Sequence, residues 1–418
     1  MEGYNPWWYG ERDVFFDEWL RLKVRWVPKV LDKFSFIPFS LHFFIGPRQV
    51  GKTTALRILI NRLLKCRDPR SIFYFSCDEV VDFRELGEVL DNYLSYREAW
   101  GVGSSIIILD EVTFVSEWYR ALKSRIDRGV FKNDVLIITG SASIELIAGK
   151  ERFPGRRGYG RDIYMYPMSF SEYVGHFGGI SLIVSGIEEI DSLIDANRVF
   201  SNRLRELFMN YLKTGGFPLP IRELFERGFV SYLSRRAYLD WLRSDWLKSG
   251  KSENYMKEII SYILEASPSP VSWNVIARNT SVSSPNTVRD YIELLSNLMV
   301  ARISYWISPS GEVNYRKNKK ISFVDPFLYD VFSKYTKVDV DESIIVEAIV
   351  ASHFSRLAPV FYWRNRSEVD VIIKYRNKLL GFEVKWRRKP IYARRPFRVR
   401  TLDREMIPLL LASLSYEL

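Results

Sequence analysis

In the first third of the chain, short apolar runs alternate with amphipathic stretches. Residues 41–45, 72–75, 106–109 and 135–138 are almost unbroken apolar segments, and each leads into glycine or a polar residue. Strands buried on both faces of a parallel sheet show this pattern. Residues 54–64 and 83–94 place apolar side chains at helical spacing, the second through Leu86, Val89, Leu90 and Leu94. Strand and helix in alternation predict an α/β domain.

The pattern changes after Gly178, Gly179 and Gly186. Residues 187–212 read as helical. Gly215-Gly216-Phe217-Pro218-Leu219-Pro220 breaks them. A second helical stretch covers 221–247. Residues 255–264, 272–279 and 284–298 predict three further helices, the last with Pro285 near its start. A strand over 302–307, a turn at 308–312 and a returning strand over 321–324 complete the order of a winged helix-turn-helix. Towards the end, a helix over 343–354 precedes short strands at 359–363, 368–373 and 379–386, the last two forming a hairpin.

The chain has 418 residues, 47% hydrophobic and 15% aromatic. At about 150 residues per domain this predicts roughly three units, with ample material for cores and none of the marks of a disordered chain. A net charge of +11 favours acidic partners, nucleic acid first among them; a soluble basic protein without such a partner is the plainer alternative. No apolar run reaches the roughly 18 residues of a membrane span, and the first residues lack a basic-then-apolar leader. The expected location is cytoplasmic, with no membrane partner. Cys66 and Cys77 predict buried free thiols, a disulfide being the alternative. His42, His176 and His353 are scattered, with no zinc spacing. Gln49 is the only glutamine among many charges, which hints at a thermophilic source.

The first strand runs into Gly46-Pro47-Arg48-Gln49-Val50-Gly51-Lys52-Thr53-Thr54, the Walker A pattern G-x-x-x-x-G-K-T. Gly46 and Gly51 let the backbone N–H groups face phosphates, and the next helix points its N-terminus at the same charge. Lys52 reaches the terminal phosphates and Thr53 offers a hydroxyl to Mg2+. Asp110 and Glu111 end the third strand beside this loop. Asp110 suits the magnesium shell and Glu111 suits activation of the attacking water. At the end of the fourth strand, Thr139 and Ser141 compete as the group that senses the γ-phosphate. Arg156 lies in a glycine-rich basic loop, 153–161, and is either a finger acting in trans on a neighbouring subunit or a solvated arginine. Ser169 with Glu172 predicts a capping box.

The second constellation lies near the C-terminus. The hairpin brings Asp370 near Glu383 and Lys385, which share one face of their strand. Two acids on adjacent strands can bind a metal, and a neighbouring lysine can orient a water for phosphodiester cleavage. Glu347, from the helix before, completes the shell, with Glu368 as a second candidate. In the winged helix, Asn286, Thr287, Arg289 and Arg278 are expected to face DNA, and Arg316, Lys317, Lys319 and Lys320 to form a basic wing. A packing or dimer module is the alternative. The basic run Lys385-Trp386-Arg387-Arg388-Lys389, with Arg394, Arg395, Arg398 and Arg400, suits a phosphate backbone.

On Gly46–Thr54, Leu109-Asp110-Glu111, Thr139-Gly140-Ser141, Gly155-Arg156 and Tyr166-Pro167-Met168-Ser169-Phe170, residues 35–175 resemble the AAA-type ATPases of archaea and bacteria that often carry a C-terminal nuclease-like domain. Asp370 and, thirteen positions on, Glu383-x-Lys385 resemble the restriction-endonuclease-like superfamily, which includes archaeal Holliday junction resolvases. The resemblances imply a multidomain α/β chain. Its parts are an N-terminal extension (1–34), a P-loop AAA+ core (35–180), a helical lid and connecting helices (181–250), a winged helix-turn-helix (251–325) and a PD-(D/E)xK nuclease-like domain (326–418). They imply ATP and Mg2+ as cofactors, with Mn2+ as a substitute at the nuclease-like site, DNA as the partner, either unbranched or, on the resolvase resemblance alone, branched, and a homo-oligomer if Arg156 acts in trans. Two functions follow: an ATPase acting on DNA with a magnesium-dependent nuclease-like domain, or a nucleotide-switched DNA- or protein-binding ATPase whose nuclease fold is inactive or waits for a trigger.

Overall fold

The apolar runs form the strands expected of them. In the computed structural model, which describes residues 1–140, 146, 149–365, 367–387 and 398–416, the chain divides into two units, Met1–Tyr166 and Pro167–Leu418.

The first unit is built on β1 (Ser40–Ile45), β2 (Ile72–Ser76), β3 (Ile106–Asp110), β4 (Val135–Thr139) and β5 (Asp162–Tyr164). They lie in the order β2-β3-β4-β1-β5, and every pairing is parallel. Residues of β1, β3 and β4 are buried throughout, because helices cover both faces of such a sheet. Central β1, β3 and β4 send their carboxyl ends to one edge, where Gly46, Asp110 and Thr139 sit side by side.

The N-terminal segment protects the outer edge of β2. Asn5 pairs with the backbone of Tyr74 like a strand residue: its amide donates to Tyr74 O at 2.9 Å, and Tyr74 N–H donates to its Oδ1 at 2.7 Å. The indoles of Trp7 and Trp8 both donate to Ile72 O at 3.0 Å. An open strand edge is thereby closed to other chains.

The second unit begins with the Phe170–Phe177 helix, which carries the expected Ser169–Glu172 capping box. Helices Ile190–Asn197, Ser201–Thr214, Pro218–Arg227 and Tyr232–Lys248 follow. Glu253–Ala266, Trp273–Arg278 and Pro285–Asn297 are the three helices expected next, followed by β6 (Ala301–Ile307), β7 (Val313–Asn314) and β8 (Lys320–Phe323). Helices Pro326–Thr336 and Glu342–Phe354, strands β9 (Val360–Arg364), β10 (Glu368–Tyr375), β11 (Lys378–Lys385) and β12 (Val399–Asp403), and the Met406–Ser413 helix complete it.

Strand β6 pairs with strands on both sides of the expected boundary between residues 325 and 326. Its first half pairs with β8, through Ala301↔Phe323 to Ser304↔Lys320. Its second half pairs with β9, through Tyr305↔Phe361 and Trp306↔Tyr362. One sheet therefore runs β12-β11-β10-β9-β6-β7, and the helix-and-hairpin module shares a strand with the C-terminal hairpin.

Two buried polar groups pin this unit. Asp325 caps the Pro326–Thr336 helix through Phe327 N–H at 2.9 Å and also accepts from Gly216 N–H at 2.9 Å. His353 Nε2 accepts from Phe170 N–H at 2.9 Å. Its Nδ1 therefore carries the proton, which it donates to Ile349 O at 2.9 Å. Among the described residues no helix is long and apolar enough to cross a membrane. Both cysteines are free thiols; Cys77 is buried, and Cys66 is exposed, contrary to the expectation of burial for both.

Candidate functional site

The phosphate loop turns between β1 and the Lys52–Leu63 helix. Gln49 and Gly51 adopt left-handed backbone angles, φ 60° and 95°, which curl the loop. Gly46 has no room for a side chain, since a Cβ would lie 2.4 Å from Met165 O. The Lys52 ammonium donates to Gly46 O at 2.9 Å and Pro47 O at 3.0 Å, across the mouth of the loop. Pro47, Arg48, Val50 and Lys52 are buried, and Thr53 and Thr54 lie exposed in the first turn of the helix.

Asp110 ends β3 against this loop and is 1% exposed. Its Oδ2 accepts from Thr53 Oγ1 at 2.8 Å and from the Tyr74 hydroxyl at 3.0 Å. Burial, and then the neighbouring Glu111 charge, raise the Asp110 pKa, while the two hydroxyls oppose the rise. A hard-oxygen pair, Thr53 and Asp110, beside a lysine fits Mg2+, and a carboxylate whose charge is penalised by burial gains from a cation there. Glu111 begins the next turn in a left-handed conformation, φ 56°, ψ 38°. The same burial raises the Cys77 thiol pKa.

Thr139 ends β4 fully buried, and its Oγ1 has no hydrogen-bond partner among the described residues. Its competitor Ser141 lies outside the described residues. Arg156 is held by Asp127, with Nε to Oδ1 at 2.5 Å, and donates to Pro154 O at 3.2 Å. Tyr74 was not expected at the site. It sits in the apolar run of β2, and its hydroxyl is the only polar atom which that run's side chains could offer Asp110 before Ser76.

The C-terminal constellation assembles differently from the expectation. Glu347, Glu368 and Asp370 do converge, but on the ammonium of Lys320, at 2.8, 2.7 and 3.8 Å. A shift in register between Val369 and Ile372 lets β10 turn Asp370 into this group. Asp370 Oδ2 also accepts from Val384 N–H of β11 at 2.8 Å. Glu383 pairs with Lys385, two positions along the same face, at 2.8 Å. Among the described residues no group of three or more His, Cys, Asp or Glu side chains is arranged to hold a metal ion. The residues expected as a metal set are thus not gathered at one point: Glu347 and Asp370 meet at Lys320, while Glu383 pairs with Lys385.

That lysine was expected on an exposed basic wing. Only Arg316 and Lys317 are exposed there, while Lys319 and Lys320 are each 7% exposed. The signal was available: adjacent strand residues point to opposite faces, so two consecutive lysines cannot both face solvent on a packed strand. Burial raises the Glu347 pKa, as do the Asp370 and Glu368 charges, against Lys320. Burial works against the charged Lys320, and the three carboxylates outweigh it. On the helical module, Arg278, Asn286 and Arg289 are exposed and Thr287 is half-buried. Arg289 is paired with Glu293 at 2.7 Å. Arg387 is exposed, whereas Arg388, Lys389, Arg394 and Arg395 lie outside the described residues.

A family model described as an AAA domain matches residues 39–174, and one described as a domain of unknown function (DUF8612) matches residues 205–339. The uncharacterized protein MJ1637 of Methanocaldococcus jannaschii is 27% identical over 308 residues, which are 68% of this chain and 60% of that protein. The chain thus spans less than two thirds of that relative's length. Among solved structures, the Walker-type ATPase Paby2304 of Pyrococcus abyssi is 14% identical, with a TM-score of 0.44 over 70% of this chain and 90% of that one. The Aeropyrum pernix ORC2 protein is 13% identical, with a TM-score of 0.37 over 71% and 88%. The Thermotoga maritima RuvB Holliday junction branch migration motor is 16% identical, with a TM-score of 0.29 over 72% and 88%. Residues 39–174 of this chain, which hold the phosphate loop, thus match an AAA domain.

Proposed function

We propose that the chain binds and hydrolyses ATP in its first unit and acts on DNA through its second. The observation that carries the first part is the 2.8 Å contact between Thr53 and Asp110, which brings the two expected magnesium ligands together beside Lys52. Mg2+ held by Thr53 and Asp110 would neutralise phosphate charge. Lys52 leaves its loop carbonyls for the phosphates. Glu111 orients the attacking water, and the buried Thr139 hydroxyl gains a partner at the terminal phosphate. Arg156 serves a neighbouring subunit only once its pair with Asp127 opens. Loss of nucleotide binding in K52A, measured by fluorescent-nucleotide titration, tests this reading; retained binding overturns it.

The DNA part rests on the exposed Arg278, Asn286, Arg289, Arg316 and Lys317 of the three-helix and hairpin module. Branched DNA is the substrate class suggested by the resolvase resemblance of Asp370, Glu383 and Lys385. The Lys320 position favours the second reading of that domain, a nuclease-like fold that is silent until triggered. Incubating labelled four-way junction, flap and duplex DNA with Mg2+ or Mn2+, with and without ATP, separates the two. Cleavage by the untreated protein that is lost in D370A overturns the silent reading.

A further inference from the structure

Residues 319 and 320 point to opposite faces of the wing. The Lys319 ammonium lies 5.1 Å over the Trp273 ring, and its backbone exchanges two hydrogen bonds with Val271, at 2.9 and 2.8 Å. Lys320 opens β8 opposite Ser304 of β6, and its side chain runs the other way, into the carboxylates. There its ammonium touches Glu347 at 2.8 Å and Glu368 at 2.7 Å, stands 3.8 Å from Asp370, and lies 5.9 Å over the Tyr362 ring. The side chain is 9% exposed. Lys320, Glu347 and Asp370 line a cavity of about 30 Å³, room for about one water.

Three carboxylates from a helix and one strand close on the Lys320 ammonium, and in this arrangement they are not set to hold a metal ion, although carboxylate oxygens are the ligands a hard cation takes. We propose that Lys320 is the standing cation of this site, occupying the place between Glu347, Glu368 and Asp370 that a divalent metal would take and keeping the site closed to metal while β8 is docked. The inference rests on reading these carboxylates as the nuclease-like centre. Two cations cannot share so small a buried space, since like charges a few ångströms apart repel strongly away from water. The lysine is fixed by backbone on both sides, through the Val271 bridge before it and the β6 pairing after it. The same hairpin carries the exposed Arg316 and Lys317, so a ligand that shifts the wing shifts the ammonium.

Mn2+ binding to the nucleotide-free full chain, followed by electron paramagnetic resonance, tests this. The proteins are the unaltered chain, D370N, K320Q and K320Q/D370N; the D370N comparison discounts any manganese held at Thr53 and Asp110. K320Q is expected to gain a site at least about tenfold tighter than any Asp370-dependent binding in the unaltered chain, and K320Q/D370N to lose it. The unaltered chain and D370N should titrate alike. If the unaltered chain already shows an Asp370-dependent site as tight as that of K320Q, Lys320 closes nothing, while the metal-centre reading stands. If folded K320Q shows no such site, both ideas fall. Should K320Q not fold, the comparison of the unaltered chain with D370N still decides, together with amine acetylation read by mass spectrometry. Lys320 is expected to stay unmodified while Lys317 reacts; equal reaction would overturn the proposal.

Discussion

Thr53 and Asp110 are separated by 57 positions in sequence and by 2.8 Å in the fold. Asp110 is costly to bury as an anion, and the cation proposed to lie beside it would offset that cost. D110N should therefore bind nucleotide but lose roughly 10²–10³ in turnover, the usual range for removing one preorganised charge-stabilising group; a phosphate-release assay beside a binding titration checks this. His353 carries a second expectation. Burial, and then the Arg356 charge, lower its pKa to about 3, from the ordinary histidine value of 6.5. Below pH 6.5 the unfolded chain takes up a proton that the folded chain refuses, so stability is lost as pH falls from 6.5 towards 3. By pH 5 the loss reaches about 2 kcal/mol, at about 1.4 kcal/mol per pH unit. H353Q cannot ionise, so its stability in denaturant titrations should fall less between pH 7 and pH 5. Parallel slopes for the two proteins would contradict this account.

The turn between the Ser201–Thr214 and Pro218–Arg227 helices shows how an element boundary is enforced. Gly215 adopts φ 56°, and a Cβ there would lie 1.6 Å from Asp325 Oδ1. G215A should cost at least about 1–3 kcal/mol and lower the melting temperature of the second unit by several degrees; an unchanged melting curve would refute the steric argument. The glycine-proline break was legible as a helix stop because its chemistry is local. So were the strands of the first unit, whose apolar runs are long enough to need burial on both faces, and the phosphate loop, whose spacing is set by a ligand that every such loop must surround. The sharing of β6 was not legible. A strand of seven residues with half-buried positions reads the same whether it has one partner or three, and the pairing is chosen by neighbours far along the chain. Lys320 was misplaced for a related reason: a lysine beside Arg316 and Lys317 reads as wing charge until the alternation of the strand is applied to it. Asn5, Trp7 and Trp8 were likewise unreadable as an edge cover, since nothing local ties them to Ile72 and Tyr74.

At the scale of the whole chain, the net charge of +11 means that the proposed association with nucleic acid would depend on salt, but does not say where contact would occur. The structure narrows the choice. Many of the arginines and lysines are committed to internal partners: Arg57 to Asp13, Arg97 to Asp134, Arg125 to Asp91 and Lys320 to the carboxylates. Arg316 and Lys317 stand exposed on the hairpin, next to Tyr315, which is 66% exposed. If these two groups neutralise phosphates, each releases condensed counterions and contributes about 0.9 to the slope of log K against log salt on duplex DNA. R316A/K317A should then weaken binding to every duplex sequence and reduce that slope by about 2, measured by fluorescence anisotropy between about 50 and 200 mM salt. N286A, at the start of the exposed helix, should change affinity among sequences while leaving the slope alone, because an uncharged amide releases no counterions. A double variant with unaltered slope and affinity would remove the wing from the DNA-binding face, and the charge excess would then have to act through the basic residues that follow Lys385.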